Sequence, residues 1–167
     1  MGKVVLRLGK GISTDDIYPG RFMATVLPTE TPQFCFNDRT EFNTRLKAKA
    51  IAPGSVVVAD ENFGCGSSRE QAVSAIRGHA LVVVARSIAR IFLQNAINLG
   101  LNLVICPTIE ANEGDELELE LASGKVRNQT SGKEFATVPL PPARQAIIDA
   151  GGLIPFTRKK MLAQPGR

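Results

Sequence analysis

Val56-Val57-Val58-Ala59 and Ala80-Leu81-Val82-Val83-Val84-Ala85 flank Ser67-Ser68-Arg69-Glu70-Gln71-Ala72-Val73-Ser74-Ala75-Ile76-Arg77-Gly78, and the reading of this stretch decides the fold. Each Val-rich run is too short for most helices and lacks polar alternation, so it reads as a strand buried on both faces. Between them Ala72, Val73 and Ile76 form an apolar stripe, Ser67 and Glu70 have the spacing of a capping box, and Gly78 supplies a stop. Ser87 heads a second helical pattern carrying Ile88, Ile91, Phe92, Asn95 and Leu99 and closed by Gly100; Leu101 to Cys106 is a third apolar run, stopped by Pro107. Strand, helix, strand, helix, strand predicts parallel strands joined by crossover helices.

Upstream, Val4 to Leu8 reads as a strand ended by Gly9 and Gly11, with polar loop residues after it. Phe42, Leu46 and Ala50 recur every fourth residue, which predicts a helix over 38–50 halted by Pro53-Gly54. Downstream the pattern changes. Glu116-Leu117-Glu118-Leu119-Glu120-Leu121 alternates strictly, as a strand with one wet face does. Turn residues at 122–125 and 131–133 lead into return strands over 126–130 and 135–138, and a short helix over 142–150 ends at Gly151-Gly152. The expected fold class is therefore α/β: a parallel βαβαβ core plus antiparallel C-terminal hairpin strands.

The chain has 167 residues, 44% apolar and 22% charged, as an ordinary globular domain does. A chain of this length buries roughly 70% of its unfolded surface, enough for a core without disulfides or a structural metal. No run reaches the ~20 apolar residues of a membrane span, and the start lacks a secretory pattern, so a cytoplasmic location is expected. The net charge of +4 sits at one end: Arg158, Lys159, Lys160 and Arg167 leave sixteen bases facing sixteen acids in the rest. The expected organisation is one domain over 1–157 and a basic, flexible tail over 158–167. With one Tyr and no Trp there is little to stack on a base, so neither nucleic acid nor membrane is an expected partner. Cys35, Cys65 and Cys106 are far apart, which gives neither a disulfide framework nor a self-contained zinc or iron-sulfur site. His79, the single histidine, reads as structural.

Asn62-Phe63-Gly64-Cys65-Gly66-Ser67-Ser68-Arg69-Glu70 leaves a buried strand and feeds a helix N-terminus, where unpaired N–H groups and the helix dipole favour an anion. It is not a phosphate loop: a Walker motif needs Gly-Lys-Ser/Thr, and a dinucleotide fingerprint needs a third Gly where Arg69 stands. What fits is a small anion held by backbone donors and by the planar fork of Arg69, which matches a carboxylate bidentately. The residues alone leave two readings of the serines open. They cap the helix, or one hydroxyl is a reacting group and the other a donor.

That nonapeptide closely resembles the signature of the swivel domain of the aconitase superfamily. Ile12-Ser13-Thr14-Asp15-Asp16-Ile17-Tyr18-Pro19-Gly20-Arg21-Phe22 and Ser87 through Leu101 resemble the family in the right order, so the likeness covers nearly the whole chain. It implies a swivelling β/β/α domain that stands alone as the small subunit of a hydro-lyase. No cofactor is then expected on this chain; a [4Fe-4S] cluster is expected on a large-subunit partner. By the same resemblance Ser67 is the catalytic alkoxide base, Ser68 and Arg69 bind a small dicarboxylate, and Thr14 and Asp15 support them at the site's border. Phe22-Met23-Ala24-Thr25 aligns with the loop that sets specificity. In homoaconitase-like members that loop carries an arginine for a third carboxylate, and the uncharged Ala24 instead suits an alkyl group. Isopropylmalate, in leucine biosynthesis, is the implied substrate. The alternatives are a homoaconitase, which Gln71 resembles, or a 2,3-dimethylmalate dehydratase; Arg21 could reach toward the missing contact. From another class, a stand-alone anion- or RNA-binding module would use the same helix N-terminus and the basic tail.

Overall fold

In the computed structural model, which describes residues 1–163, the parallel core forms as the Val runs require. The elements in order are β1 (Gly2–Leu8), α1 (Thr14–Ile17), 3-10 turns at Gly20–Phe22 and Thr31–Phe34, α2 (Thr40–Lys47), β2 (Val56–Ala59), α3 (Glu70–Gly78), β3 (Val82–Ala85), α4 (Arg90–Leu99), β4 (Leu103–Ile105), β5 (Glu116–Glu120), β6 (Lys125–Asn128), β7 (Lys133–Ala136), α5 (Pro142–Asp149) and α6 (Leu153–Leu162). Seven strands make one sheet in the order β4-β3-β2-β1-β5-β6-β7. β1 to β4 pair in parallel; β5 joins β1 antiparallel, and β6 and β7 follow as hairpins. The sheet curls until its ends meet, with the Val138 N–H donating to the Ile105 carbonyl at 2.8 Å.

The continuous apolar runs are explained by two cores. Val57, Ala59, Val83 and Ala85 face the helices, with Ala72, Val73, Ile76 and Phe92 against them. Val56, Val58 and Val84 point the other way, onto Leu117, Val126 and Phe135 inside the curl. A parallel strand is thus buried on both faces, whereas β5 to β7 bury Leu117, Val126 and Phe135 on one face and leave most of their charges wet.

Several local expectations are corrected. The helix predicted over 38–50 is shorter because Lys49 adopts a left-handed φ of 54°, and Ala50 lies outside the stripe. Gly78 is needed for approach rather than termination: a Cβ there would overlap the Pro32 ring. The tail expected from 158 begins inside α6, which carries Arg158, Lys159 and Lys160, all exposed; the expectation for 164–167 lies outside the described residues.

Candidate active site

The loop leaving β2 is fixed from both flanks before it reaches Ser67 and Ser68. Gly64 takes a φ of 77°, and a Cβ on it would overlap the ring of Phe92, which packs edge-on against the buried Phe63 at 5.2 Å between centroids. The Ser87 hydroxyl accepts the Asn62 N–H at 2.8 Å, so Ser87 braces this loop instead of capping α4, whose N-cap is Ala89. On the other flank the Gly64 N–H donates to the Ile12 carbonyl at 2.7 Å and the Thr14 N–H to the Cys65 carbonyl at 2.8 Å. Thr14 is buried, and its hydroxyl donates to the Ser67 carbonyl at 2.9 Å. Its side chain therefore holds the loop from behind and does not face the open site.

The capping reading of the serines is overturned. The Arg69 N–H donates back to the Ser67 carbonyl at 2.8 Å, a tight turn that keeps Ser67 and Ser68 out of the helix. α3 starts at Glu70 with Arg69 as N-cap and no side-chain cap. Both serines are exposed, and among the described residues their hydroxyls have no hydrogen-bond partner; nor have the N–H groups of Glu70 and Gln71. Four polar groups at the positive end of a helix are therefore free for a ligand.

Arg69 is held in place beside them. One of its terminal nitrogens donates to the Asp15 carboxylate and, at 3.1 Å, to the Tyr18 carbonyl; the Gly20 N–H donates to the same Asp15 oxygen at 2.8 Å. These bonds, the one from Arg69 first, hold the Asp15 carboxyl below the usual carboxylate range. The guanidinium side chain is 19% exposed, and among the described residues its Nε and Nη2 donate to no protein group. The fork keeps an open edge for a carboxylate. Asp15 itself is presented by α1, which Ser13 caps: its hydroxyl accepts the Asp16 N–H at 3.1 Å while the Ser13 N–H donates to the Asp16 carboxylate at 2.8 Å.

The loop Phe22-Met23-Ala24-Thr25 hangs from the end of α1. Phe22 stacks on Phe34 at 4.1 Å, and Met23 and Ala24 are exposed. Arg21 pairs with Asp38, one nitrogen donating at 3.1 Å, and its guanidinium lies 4.7 Å from the centroid of the Phe22 ring, so it reaches the start of the loop with its fork already engaged. Gln71 is half-buried in the first turn of α3. His79 Nε2 donates to the Pro32 carbonyl, 2.9 Å away, in the structural place expected for it.

No group of three His, Cys, Asp or Glu among the described residues is placed to hold a metal ion. Cys35 is buried among the helices and Cys106 inside the curl, each thiol pushed up by burial, while Cys65 sits in the loop against the Gly11 carbonyl at 3.4 Å. This donor set does not fit an iron-sulfur cluster. A cleft of about 830 Å³ lies between Gly64, Cys65, Gly66 and the first turns of α4, but neither the serines nor Arg69 line it. Ser67 and Ser68 face open surface.

Residues 12–106 match the family described as the aconitase C-terminal domain, more than half of the chain. The chain belongs to that family. The match takes in α1, the serine loop and the parallel strands β2 to β4, so it covers the constellation just described. Among its curated members, the 3-isopropylmalate dehydratase small subunit of Thermodesulfovibrio yellowstonii is 42% identical over 161 residues, covering 94% of this chain and 93% of the relative. The isopropylmalate/citramalate isomerase small subunit of Methanocaldococcus jannaschii is 41% identical over 161 residues, covering 94% and 93%. A crystal structure of 3-isopropylmalate dehydratase from Methanocaldococcus jannaschii superposes with a TM-score of 0.86 at 37% identity, covering 97% of this chain and 95% of that one.

Sequence reasoning placed Ser67, Ser68, Arg69 and Asp15 at one site, and the structure brings Asp15 onto Arg69 next to the serines. It missed the cap made by Ser13, although Ser13-Thr14-Asp15-Asp16 has capping-box spacing. It also missed Tyr18, the chain's single tyrosine, which joins Arg69 to the neighbouring loop.

Proposed function

We propose that this chain is the small subunit of a two-subunit 3-isopropylmalate dehydratase, interconverting 2- and 3-isopropylmalate by loss and re-addition of water in leucine biosynthesis. The observation that carries the reading is the pair of uncapped hydroxyls, Ser67 and Ser68, beside an Arg69 fork with a free edge. Ser67, as alkoxide, takes the proton from the carbon next to a substrate carboxylate, and the elimination releases hydroxide from the neighbouring carbon. Water then adds across the double bond with the opposite orientation. Arg69 binds a carboxylate, Ser68 and the first-turn N–H groups stabilise its charge, Asp15 orients Arg69, and Thr14 holds the Ser67 backbone.

A serine hydroxyl is a very weak acid, so its anion needs the helix N-terminus, Arg69 and a dry environment together. We assign the covering surface that excludes water to the large subunit, and to it also the [4Fe-4S] centre whose iron would act as the Lewis acid on the leaving hydroxyl. No nucleic acid or membrane is included among the partners, and the setting is taken as cytoplasmic. Among the described residues no helix is long and apolar enough to cross a membrane.

The loop chemistry favours an alkyl-bearing dicarboxylate over a tricarboxylate, because Ala24 is neutral and Arg21 is committed to Asp38. A third carboxylate buried there unpaired would cost several kcal/mol, on the order of the penalty for a lost charged hydrogen bond. The test is anaerobic reconstitution with the cognate large subunit, comparing 2-isopropylmalate, 2,3-dimethylmalate and homocitrate. Isopropylmalate should give the highest kcat/KM and each subunit alone no turnover. Preference for homocitrate, or turnover by this chain alone, would overturn the reading.

A further inference from the structure

Tyr18 is fully buried, yet both of its polar ends serve the site. Its carbonyl accepts the Arg69 guanidinium at 3.1 Å. Its phenol, at the other end of the side chain, lies 3.1 Å from the Phe22 carbonyl and 3.3 Å from the Thr25 carbonyl. One hydroxyl carries one proton, so it is shared between the two carbonyls or alternates between them. Those carbonyls bracket Met23 and Ala24, where the chain turns with the Thr25 N–H donating to the Phe22 carbonyl at 2.9 Å.

Beyond the turn the loop is loosely held. Val26 and Leu27 are 64% and 53% exposed, while the Phe22 ring stacks on Phe34, which in turn meets Tyr18 edge-on at 6.1 Å, and carries the Arg21 guanidinium 4.7 Å from its centroid on an otherwise exposed side chain. Gly20 lies between the two functions: a Cβ there would sit 3.2 Å from both an Arg69 nitrogen and an Asp15 oxygen, so the chain between clamp and loop is drawn tight. A single rigid side chain thus spans from the carboxylate fork to the turn carrying Ala24.

We infer that Tyr18 is a specificity-positioning residue: it fixes the distance between the Arg69 carboxylate clamp and the Phe22–Thr25 turn, and so the size of alkyl group a branched malate can present. The inference rests on the proposed dehydratase reading. The phenol touches no reacting atom, so its loss should act on substrate fit and not on the chemical step. Tyr18→Phe keeps the ring and removes only the hydroxyl that the two carbonyls share.

Two measurements decide it. In the reconstituted enzyme Tyr18→Phe should raise KM for isopropylmalate about five-fold with kcat within about two-fold, and should narrow its kcat/KM advantage over 2,3-dimethylmalate by a similar factor. In the isolated chain, amide exchange of a peptide spanning residues 22–27 should quicken while exchange of 62–69 and the melting temperature stay near wild type. An unchanged KM and selectivity, a fall in kcat alone, or unchanged exchange at 22–27 would each overturn the role. If wild-type enzyme turns over neither diacid, the dehydratase reading fails, and the exchange experiment still decides whether Tyr18 holds the turn.

Discussion

The two loops anchored on α1 are built in opposite ways. The one from Asn62 to Arg69 is tied at the start of the helix through Thr14, has Phe63 and Gly64 buried beneath it, and is braced by Ser87 on its far side. The one from Phe22 to Leu27 hangs from the end of the helix on the Tyr18 phenol and leaves Met23, Val26 and Leu27 in solvent. Groups that must meet a reacting atom tolerate errors of only about 0.5 Å, and the several ties on the first loop suit the reacting role proposed for it. The second is the loop proposed to meet the variable part of the substrate, and its looser attachment is compatible with that proposal.

The contrast is most exposed at Ser67. Replacing it by Ala removes the proposed base without touching a hydrogen bond of the fold, so turnover in the reconstituted enzyme should fall about 10²–10⁴-fold while melting and subunit association hold. The next effect is structural. Gly64→Ala forces a Cβ into Phe92 at a left-handed φ and should cost about 1–3 kcal/mol in thermal or urea unfolding, whereas a Gly or Ala change within 23–27 should cost far less. Equal costs in the two loops would erase the distinction drawn between them.

Arg69→Lys keeps the charge and loses the fork. KM should rise about tenfold, equivalent to ~1.4 kcal/mol, with kcat less affected. An unchanged KM would remove Arg69 from the carboxylate contact. The smallest effect is expected at Asp15. Its carboxyl is held below the ordinary range by Arg69 and Gly20, so its contribution to stability is present above that range and disappears as the pH falls through the lowered value. Asp15→Asn should therefore melt slightly below wild type at neutral pH, and the gap should close on acidification; a gap constant across that range would contradict the ion pair.

The strands were legible in the sequence because continuous Val runs and strict Glu-Leu alternation describe two different environments; the Val runs are buried on both faces, while of the alternating leucines Leu117 is buried, Leu119 half-buried and Leu121 exposed beyond the strand's end. Caps were not legible. Ser67 and Glu70 have the right spacing, but with the Arg69 N–H bonded to the Ser67 carbonyl the cap falls two residues later, on Arg69, and spacing cannot register that competition. The same spacing at Ser13 and Asp16 is a real capping box, on a helix of one turn that no periodicity could announce. The Arg69–Asp15 pair and the Tyr18 bridge join residues 54 and 51 positions apart, contacts that depend on the sheet carrying α1 beside α3. The closing of the sheet, from Val138 to Ile105, was hidden for the same reason.

Proton exchange is the direct test of the base. In deuterated buffer, the enzyme reconstituted with wild-type chain should introduce solvent deuterium at the substrate carbon next to its carboxylate; Ser68→Ala should still do so, more slowly, and Ser67→Ala should not. Exchange that survives in Ser67→Ala at a rate close to wild type would show that another group removes the proton.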